Sequence, residues 1–294
     1  MSKTQCEICG SPSEHWADIN DYPHFFCKSC VHVFVYPRPS QLVLDQFYAD
    51  GQYYEAAQAQ RERLTRDARD RLDRLASLCR RFELPARLLD VGCASGIFLT
   101  EATRKGWLAE GSERSVTTAA QARVLSTSTI HCGILEEVDI STGPFPVVTA
   151  WEVIEHATKP GEFLAALVRQ VQPGGLIALS TPLIDGLPAL VMGVKFPMLV
   201  PPEHLSLFSR KSLSILASAH GLREVSYRSF SNLDARSMAS GLSRKLLHRE
   251  LHENPPFARA VMNFAGITLA WMPYIIDKLG LGTEMEVIYR RKMV

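Results

Sequence analysis

The sequence predicts an α/β fold with a mostly parallel sheet, and two observations support this prediction. Strand-like apolar runs alternate with helix-like runs between residues 85 and 230. The first strand-like run leads through a glycine-punctuated turn, "LLDVGCASGIFL" at 88–99, into a helix-like run. Strands and helices that alternate at this spacing are typical of right-handed βαβ units, which place successive strands parallel in one sheet.

Composition limits the class of protein. The 294 residues are 46% apolar and 21% charged, enough for one large domain or two smaller ones, and a net charge of +1 gives no global attraction to nucleic acid. Seven cysteines, four of them in CxxC pairs, favour a reducing compartment over a disulfide scaffold. No apolar stretch follows the N-terminal lysine, and the uncharged run 260–276 is at the lower limit for a bilayer span, so a cytoplasmic location is expected.

The N-terminal 45 residues carry a candidate metal site. Cys6 and Cys9 form one CxxC pair, Cys27 and Cys30 form a second, and 17 residues separate the pairs. This spacing is within that of tetrahedral zinc ribbons. Four thiolates would complete the coordination of Zn²⁺ and leave no open position, which predicts a structural site. Unmetallated thiols of a cytosolic protein are the alternative.

The segment from Glu55 to Phe82 predicts a charged helix. Apolar residues from Leu64 onward recur at helical spacing, and aspartates alternate with the arginines between them. The charges therefore favour a solvated face over a basic nucleic-acid face. Pro85 is expected to end the helix.

The glycine turn is a candidate ligand cradle. Asp90, Gly92 and Gly96 stand at D-x-G-x-x-x-G after a strand, and Glu113 ends the next strand. Ligands of open parallel sheets bind beyond the carboxyl ends of the strands, and glycine lets the backbone approach them closely. A carboxylate at Glu113 can accept hydrogen bonds from both hydroxyls of a ribose. A tight turn and a surface glutamate are the simpler alternative.

Four motifs in order resemble the class I S-adenosylmethionine-dependent methyltransferases: "LLDVGCASGIFL", "GWLAEGSERS", "PFPVVTAWEVIEH" and "VQPGGLIALSTP". The resemblance implies a Rossmann-like sheet of seven strands with S-adenosylmethionine over the glycine turn. It departs from the family at Cys132 and Pro146, where aspartate is common. The cofactor-binding positions that it implies are Asp90, Gly92, Cys93, Ala94, Ser95, Gly96, Glu113, Cys132, Gly133, Ile134 and Trp151. Of these, it places Cys132, Gly133 and Ile134 near the adenine and Trp151 near the methionine end.

The residues after the fourth strand are the catalytic candidates. Methyl transfer to oxygen requires removal of a proton, and His156 is the natural base because its ordinary pKa is about 6.5. With Glu152 and Glu155 it forms E-x-x-E-H, which would place two carboxylates and an imidazole on one helical turn, where they could hold a divalent ion. The pattern is similar to a motif that binds a divalent metal in ubiquinone-pathway O-methyltransferases and in small-RNA 2′-O-methyltransferases. Mg²⁺ is therefore a second candidate cofactor, with His204 as a further ligand. A histidine that acts without metal is the alternative.

Two apolar stretches, at 183–202 and 257–281, are too apolar to be plain loops. They are either a helical cap that buries its own face, in a homodimer for example, or interfacial helices in peripheral contact with a membrane.

The sequence divides into five predicted segments. They are a zinc-ribbon-like segment at 1–45, a connecting helical segment at 46–84, a methyltransferase core at 85–230, an apolar helical lid or insertion at 231–283 and a final core strand at 284–294.

The expected function is O-methylation of a small molecule, a sugar or a lipid-linked intermediate. The segment "VFVYPRPSQLVLDQFYADGQYYE" at 33–55 is similar to the one that follows such a ribbon in bacterial sugar methyltransferases. An RNA methyltransferase with a zinc ribbon is the rival, but the ribbon region holds only Lys3, Lys28 and Arg38 as cations for phosphate. A non-catalytic binding protein that retains the fold is the third reading, and the intact glycine turn argues against it.

Overall fold

The structure is a computed structural model that describes residues 3–49, 60–231 and 272–293. Contacts between Cα atoms divide the chain into two compact units, each assembled from separate stretches of sequence. The first unit comprises Met1–Pro37, Thr181–Ile215 and Tyr227–Glu286, and the second comprises Arg38–Ser180, Leu216–Ser226 and Val287–Val294. The five segments predicted from the sequence stay predictions.

A small antiparallel sheet lies in the first unit. Its strands are β1 (Lys3–Gln5), β2 (Pro12–Ile19), β3 (Tyr22–Cys27), β4 (His32–Val35) and β10 (Ser206–Leu207), in that spatial order. Cys27 pairs with His32 across β3 and β4, so the second CxxC pair occupies the hairpin between these strands. Strand β10 joins from far along the sequence, with Ser206 opposite Phe34.

Two helices follow the small sheet, α1 (Gln41–Ala49) and α2 (Arg61–Phe82). From Arg61 onward, helix α2 confirms the predicted amphipathic helix, with one apolar stripe buried and most of the charged residues exposed. It ends three residues before Pro85, where Glu83 adopts a left-handed conformation with φ of 57°. The buried stripe consists of Ala68, Leu72, Leu75 and Cys79.

A seven-stranded, mostly parallel sheet confirms the predicted fold class. Its strands are β5 (Arg87–Val91), β6 (Leu108–Glu113), β7 (Thr129–Cys132), β8 (Phe145–Trp151), β9 (Val171–Pro182), β11 (Leu222–Phe230) and β12 (Glu284–Arg291). Their spatial order is β11-β12-β9-β8-β5-β6-β7, and the neighbouring pairs from β9 to β7 are all parallel. The central strands are continuous apolar runs because helices cover both faces of such a sheet.

Helices alternate with the strands, as the pattern of the sequence predicts. They are α3 (Ile97–Arg104), α4 (Val116–Leu125), α5 (Pro160–Gln170), α6 (Leu187–Met192), α7 (Arg210–Ala219) and α8 (Met272–Lys278), with 3₁₀ turns at Ile154–His156 and Gly193–Lys195. Ser115 caps α4 by accepting a hydrogen bond from the backbone N–H of Thr118, and Pro160 opens α5, where its missing N–H costs nothing.

The apolar stretches are described only in part. Helix α6 lies within the stretch at 183–202, and α8 lies near the end of the predicted lid at 231–283, of which residues 232–271 fall outside the described part of the chain. Among the described residues, no helix combines the length and the apolar character needed to cross a membrane.

Candidate functional site

The glycine turn lies in the second unit at the carboxyl end of β5. Gly92 and Gly96 have φ of 70° and 77°, in the left-handed region that glycine adopts without strain. The backbone N–H groups of Gly92 and Cys93 both donate to the carbonyl oxygen of Ser112, at 2.9 and 3.0 Å, which ties the turn to β6. A Cβ atom on Gly92 would lie 2.7 Å from Cγ2 of Val153. The turn therefore requires glycine at 92 for conformation and for space.

Replacing Gly92 by alanine should lower the free energy of unfolding by about 3 kcal/mol, because left-handed strain of about 1–2 kcal/mol adds to the overlap with Val153. Gly106→Ala is the matched control. Gly106 also has positive φ, of 82°, but nothing lies within 4 Å of its added Cβ, so this variant should lose only the strain. Urea unfolding measures both variants, and equal losses would contradict the predicted overlap.

Asp90 is buried at the end of β5. It is 2% exposed, and its Oδ1 accepts a hydrogen bond of 2.6 Å from the hydroxyl of Thr149 on the neighbouring strand β8. Burial raises the pKa of the Asp90 carboxyl to about 7, while the Thr149 hydroxyl and the charge of Arg71 oppose this shift. The carboxyl is thus held rigidly at the edge of the sheet where the ligand is expected.

The raised pKa of Asp90 predicts a pH dependence of stability. Between about pH 4, the ordinary carboxyl pKa, and pH 7 the folded protein holds a proton that the unfolded chain releases, so this group makes stability fall as the pH rises. Asp90→Asn has no such carboxyl to titrate. Its free energy of unfolding relative to that of the native protein should therefore increase by about 3 kcal/mol between pH 5 and pH 8. Urea unfolding of the ligand-free protein tests this, with exposed Asp139→Asn as control. Equal pH dependence of Asp90→Asn and the native protein would contradict it.

Glu113 ends β6 beside the turn, as predicted. Its Oε2 accepts a hydrogen bond of 3.0 Å from the backbone N–H of Ala94, and its Oε1 accepts one of 2.9 Å from Ser115. Burial raises the pKa of the carboxyl, and these two donors act against the shift together with the backbone N–H and the charge of Arg114. A carboxylate has about four lone-pair positions, so it can accept further hydrogen bonds from a ligand beside these backbone donors.

The positions expected near an adenine ring follow β7. Cys132 pairs with Glu113 across β7 and β6, and the backbone N–H of Gly133 donates to the carbonyl oxygen of Glu113 at 3.0 Å. Ile134 comes next and is partly buried. The structure therefore brings this segment next to Glu113. In the turn itself, Cys93 and Ser95 are buried.

A cation beside Trp151 was not predicted from the sequence. The guanidinium carbon of Arg71, on helix α2, lies 4.4 Å from the centroid of the Trp151 ring, and its Nη2 donates to Ser180 Oγ at 3.4 Å. Trp151 also packs edge-to-face on Phe98. Arg71 falls between Ala68 and Leu75, one helical turn from each on the buried side of α2. This spacing is the sequence signal that could have identified Arg71 as a residue that points away from solvent.

The catalytic candidates Glu152, Glu155 and His156 do not share one helical turn. Glu152 precedes the 3₁₀ turn with φ of 55°, and its backbone N–H donates to Ser180 on β9 at 3.0 Å. Glu155 is fully buried, and one of its carboxylate oxygens lies 4.0 Å from Nε2 of His156. His204 belongs to the first unit, where its Nδ1 lies 2.7 Å from the carbonyl oxygen of Met198.

The four N-terminal cysteines converge in the first unit. The sulfur atoms of Cys6 and Cys30 are 3.6 Å apart, those of Cys9 and Cys27 are 3.5 Å apart, and all four lie within 4.8 Å of one another. Tetrahedral Zn²⁺ with Zn–S bonds of about 2.3 Å places its sulfurs about 3.8 Å apart. The hydrogen bond from Cys30 lowers the pKa of Cys6 and raises that of Cys30. The four residues fit a closed Cys₄ zinc site.

His32 lies beside this cluster, and its ring nitrogens contact protein oxygen atoms. Its Nδ1 lies 3.1 Å from the carbonyl oxygen of Leu207, and its Nε2 lies 3.3 Å from a carboxylate oxygen of Glu7. Ser206 donates to the same Glu7 oxygen at 3.2 Å. With both ring nitrogens engaged, His32 links β4, β10 and the first CxxC pair rather than adding a ligand.

Comparisons with known proteins agree with this geometry. A family model described as a methyltransferase domain matches residues 58–227, more than half of the chain. Ubiquinone biosynthesis O-methyltransferases of Bradyrhizobium sp. (strain ORS 278) and Caulobacter sp. (strain K31) are 33% identical over 117 residues and 34% identical over 101. These matches cover 35% and 32% of this chain and 46% and 40% of the relatives. The chain thus spans less than half the length of the curated relatives it matches.

A solved structure shows the same fold. A methyltransferase of Thermotoga maritima, described as a possible histamine N-methyltransferase, superimposes with a TM-score of 0.55 at 14% identity and covers 84% of this chain and 98% of its own. At that identity the likeness concerns the fold alone. The family model, which matches both the glycine turn and Glu113, carries the assignment. The chain belongs to the methyltransferase-domain family, within the class I S-adenosylmethionine-dependent methyltransferases.

Proposed function

We propose that the protein transfers a methyl group from S-adenosylmethionine to a hydroxyl oxygen of a small molecule, a sugar or a lipid-linked intermediate. The observation that carries the proposal is the carboxylate of Glu113, held by two backbone N–H groups beside a glycine turn at the carboxyl edge of a parallel sheet. The ubiquinone O-methyltransferases that match about a third of the chain support oxygen as the acceptor atom.

The residues of the second unit suit the parts of S-adenosylmethionine, whose sulfonium supplies the methyl group. Glu113 accepts hydrogen bonds from the ribose hydroxyls, and the turn from Gly92 to Gly96 lets the backbone approach the ligand without a Cβ in the way. Cys132, Gly133 and Ile134 flank the adenine. Trp151 lies at the methionine end, and Arg71 offers the positive charge that a carboxylate needs there. Asp90, next to the last residue of β5, offers the cofactor a further carboxyl group as a hydrogen-bond acceptor.

We further propose His156 as the base that takes the proton of the acceptor hydroxyl. A nearby carboxylate stabilises a protonated imidazole, and Glu155 holds one oxygen 4.0 Å from the His156 ring. Glu152, whose left-handed backbone is fixed by Ser180, and His204 are the additional catalytic candidates. Mg²⁺ bound to Glu152, Glu155 and His156 is the alternative, and it predicts activity that needs added magnesium.

Methyl-labelled S-adenosylmethionine tests the function directly. The purified protein is incubated with an extract of its host, and the products are separated into lipid, saccharide, small-molecule, RNA and protein fractions. We expect label in the lipid, saccharide or small-molecule fraction, and a loss of at least 100-fold in His156→Ala because general-base catalysis contributes about 10²–10⁴-fold. His220→Ala is the control for loss of an imidazole, because His220 directly follows α7 and is not among the proposed site residues. Label in RNA would overturn the proposed acceptor class, and native-like turnover in His156→Ala would overturn the proposed base.

We also propose that the four N-terminal cysteines hold one structural Zn²⁺. Their sulfur separations of 3.5 and 3.6 Å support it, since they are close to the edge of a zinc tetrahedron. The sulfurs fill all four coordination positions, so the metal has no open site for substrate or water. Its contribution would be to folding.

A further inference from the structure

A cavity of about 350 Å³ in the first unit combines opposite charges with an aromatic ring. Arg210 at the start of α7, Tyr227 on β11 and Lys278 at the end of α8 line it together with Asp185 and Leu279. Its size lies at the lower end of the range of about 300–1,000 Å³ for small-molecule sites. None of these residues belongs to the glycine turn, the catalytic candidates or the cysteine cluster.

Two cations line the cavity and one of them is held in place. The guanidinium carbon of Arg210 lies 4.1 Å from the centroid of the Tyr227 ring. The Tyr227 hydroxyl donates to the carbonyl oxygen of Gly280 at 3.0 Å, which fixes the ring that supports the guanidinium. Lys278 adds an exposed ammonium. Paired cations of this kind favour a phosphate group, whose oxygens match the fork of an arginine.

Asp185 adds a carboxylate to the lining of the same cavity. Its Oδ1 is buried and accepts no hydrogen bond among the described residues, while the rest of the carboxyl is held by the backbone N–H groups of Asp185 itself and of Arg210. A buried carboxylate oxygen without a donor is costly, so a ligand that brings a hydroxyl group to it would be stabilised. The neighbouring carboxylate of Asp277 is engaged by the backbone N–H and the hydroxyl of Ser231, at 3.1 and 2.6 Å.

We propose that this cavity binds a phosphate ester that carries hydroxyl groups, with the chemistry of a sugar phosphate. Asp185 would repel an anion placed against it, so it accepts hydrogen bonds from the hydroxyl end, and Arg210 and Lys278 bind the phosphate end. A bare phosphate satisfies only the cations, and an uncharged sugar satisfies only the carboxylate. The proposal concerns binding alone and does not depend on methyl transfer.

Exposed apolar side chains of the same unit bear on the source of this ester. Leu279 is 67% exposed, and Leu190 on α6 is 61% exposed. A soluble sugar phosphate needs no such surface, whereas a lipid with a phosphorylated polyol headgroup would also contact apolar side chains. Two arms of one experiment distinguish a soluble ester from a lipid-borne one.

In the first arm, calorimetry measures the affinity of the 294-residue protein for glucose 1-phosphate, glucose and inorganic phosphate. We expect glucose 1-phosphate to bind at least tenfold more tightly than either fragment. Arg210→Gln and Lys278→Gln should each weaken it at least fivefold, whereas Arg223→Gln, an exposed arginine on β11, should not. Asp185→Asn should reduce the preference for glucose 1-phosphate over phosphate, because it removes charge from the hydroxyl acceptor and repulsion from the anion.

In the second arm, sedimentation measures binding to phosphatidylcholine vesicles with and without phosphatidylinositol. Vesicle binding that requires phosphatidylinositol and is lost in Arg210→Gln supports a lipid-borne ester, and binding in the first arm alone supports a soluble one. Thermal melting verifies that each variant is folded. The proposal is overturned if neither arm detects binding, or if Arg210→Gln and Lys278→Gln both retain the affinity of Arg223→Gln.

Discussion

Replacing Glu113 by glutamine is expected to weaken S-adenosylmethionine binding about 100-fold. The carboxylate can accept hydrogen bonds from two ribose hydroxyls, but the amide offers one oxygen and turns an NH₂ group toward the other hydroxyl. Hydrogen bonds to charged groups contribute about 1.5–3 kcal/mol each, and 2.7 kcal/mol corresponds to a factor of 100. Calorimetric titration of the native protein and the variant measures the difference.

Glu113 also holds the turn through Ala94 and Ser115, so the test must separate ribose recognition from loss of the turn. Adenosine and 2′,3′-dideoxyadenosine provide that separation. The native protein should prefer adenosine, and Glu113→Gln should lose the preference. Glu110→Gln is the matched control, because Glu110 lies on the same strand but binds His131 and Thr142 instead. A preference that survives in Glu113→Gln would contradict the assignment of the ribose acceptor.

Much of the second unit could be predicted because its signals are local. Central parallel strands are continuous apolar runs, so β5, β8 and β9 are visible in the sequence. The places of Asp90 and Glu113 could be predicted as well, since each stands at or next to the last residue of a strand beside the glycine turn. Their roles toward a cofactor stay predictions. Thr149, the hydrogen-bond partner of Asp90, could not be predicted, because only the pairing of β8 with β5 brings the two together.

Residues brought in by distant elements were missed or misread. Arg71 belongs to a helix whose charges were interpreted as a solvated face, yet it reaches Trp151 and Ser180, 80 and 109 positions further along the chain. The expectation of one helical turn for Glu152, Glu155 and His156 was wrong, because Glu152 has a left-handed backbone. The first unit combines the cysteine segment with Thr181–Ile215 through the pairing of β4 with β10. No local sequence pattern predicts this pairing, because the two strands are far apart along the chain.

Loss of one cysteine ligand should have the largest effect on folding. We expect Cys27→Ser, made in the full chain, to bind less than half an equivalent of zinc per protein by elemental analysis. Bound zinc would hold β3 and β4 against the first CxxC pair. Among the described residues, the buried cluster there consists of three of the cysteines themselves, Cys6, Cys27 and Cys30, so few other apolar side chains stabilise it. Structural zinc contributes about 10–16 kcal/mol at neutral pH in zinc-finger peptides, more than a small sheet gains from its own core.

The location of the damage distinguishes a structural metal from a general loss of stability. Hydrogen exchange should show lost protection in β1 to β4 and β10 of Cys27→Ser, and chelation of zinc from the native protein should reproduce the same pattern. Cys79→Ser is the control, because Cys79 is buried in α2 among the apolar residues of the second unit and contributes no sulfur to the cluster. This variant should keep its zinc and the protection of the small sheet even though a buried hydroxyl destabilises α2. If Cys27→Ser loses zinc but keeps that protection, the antiparallel strands fold without the metal, and the ribbon is held by the hydrogen bonds of His32 and Ser206 instead.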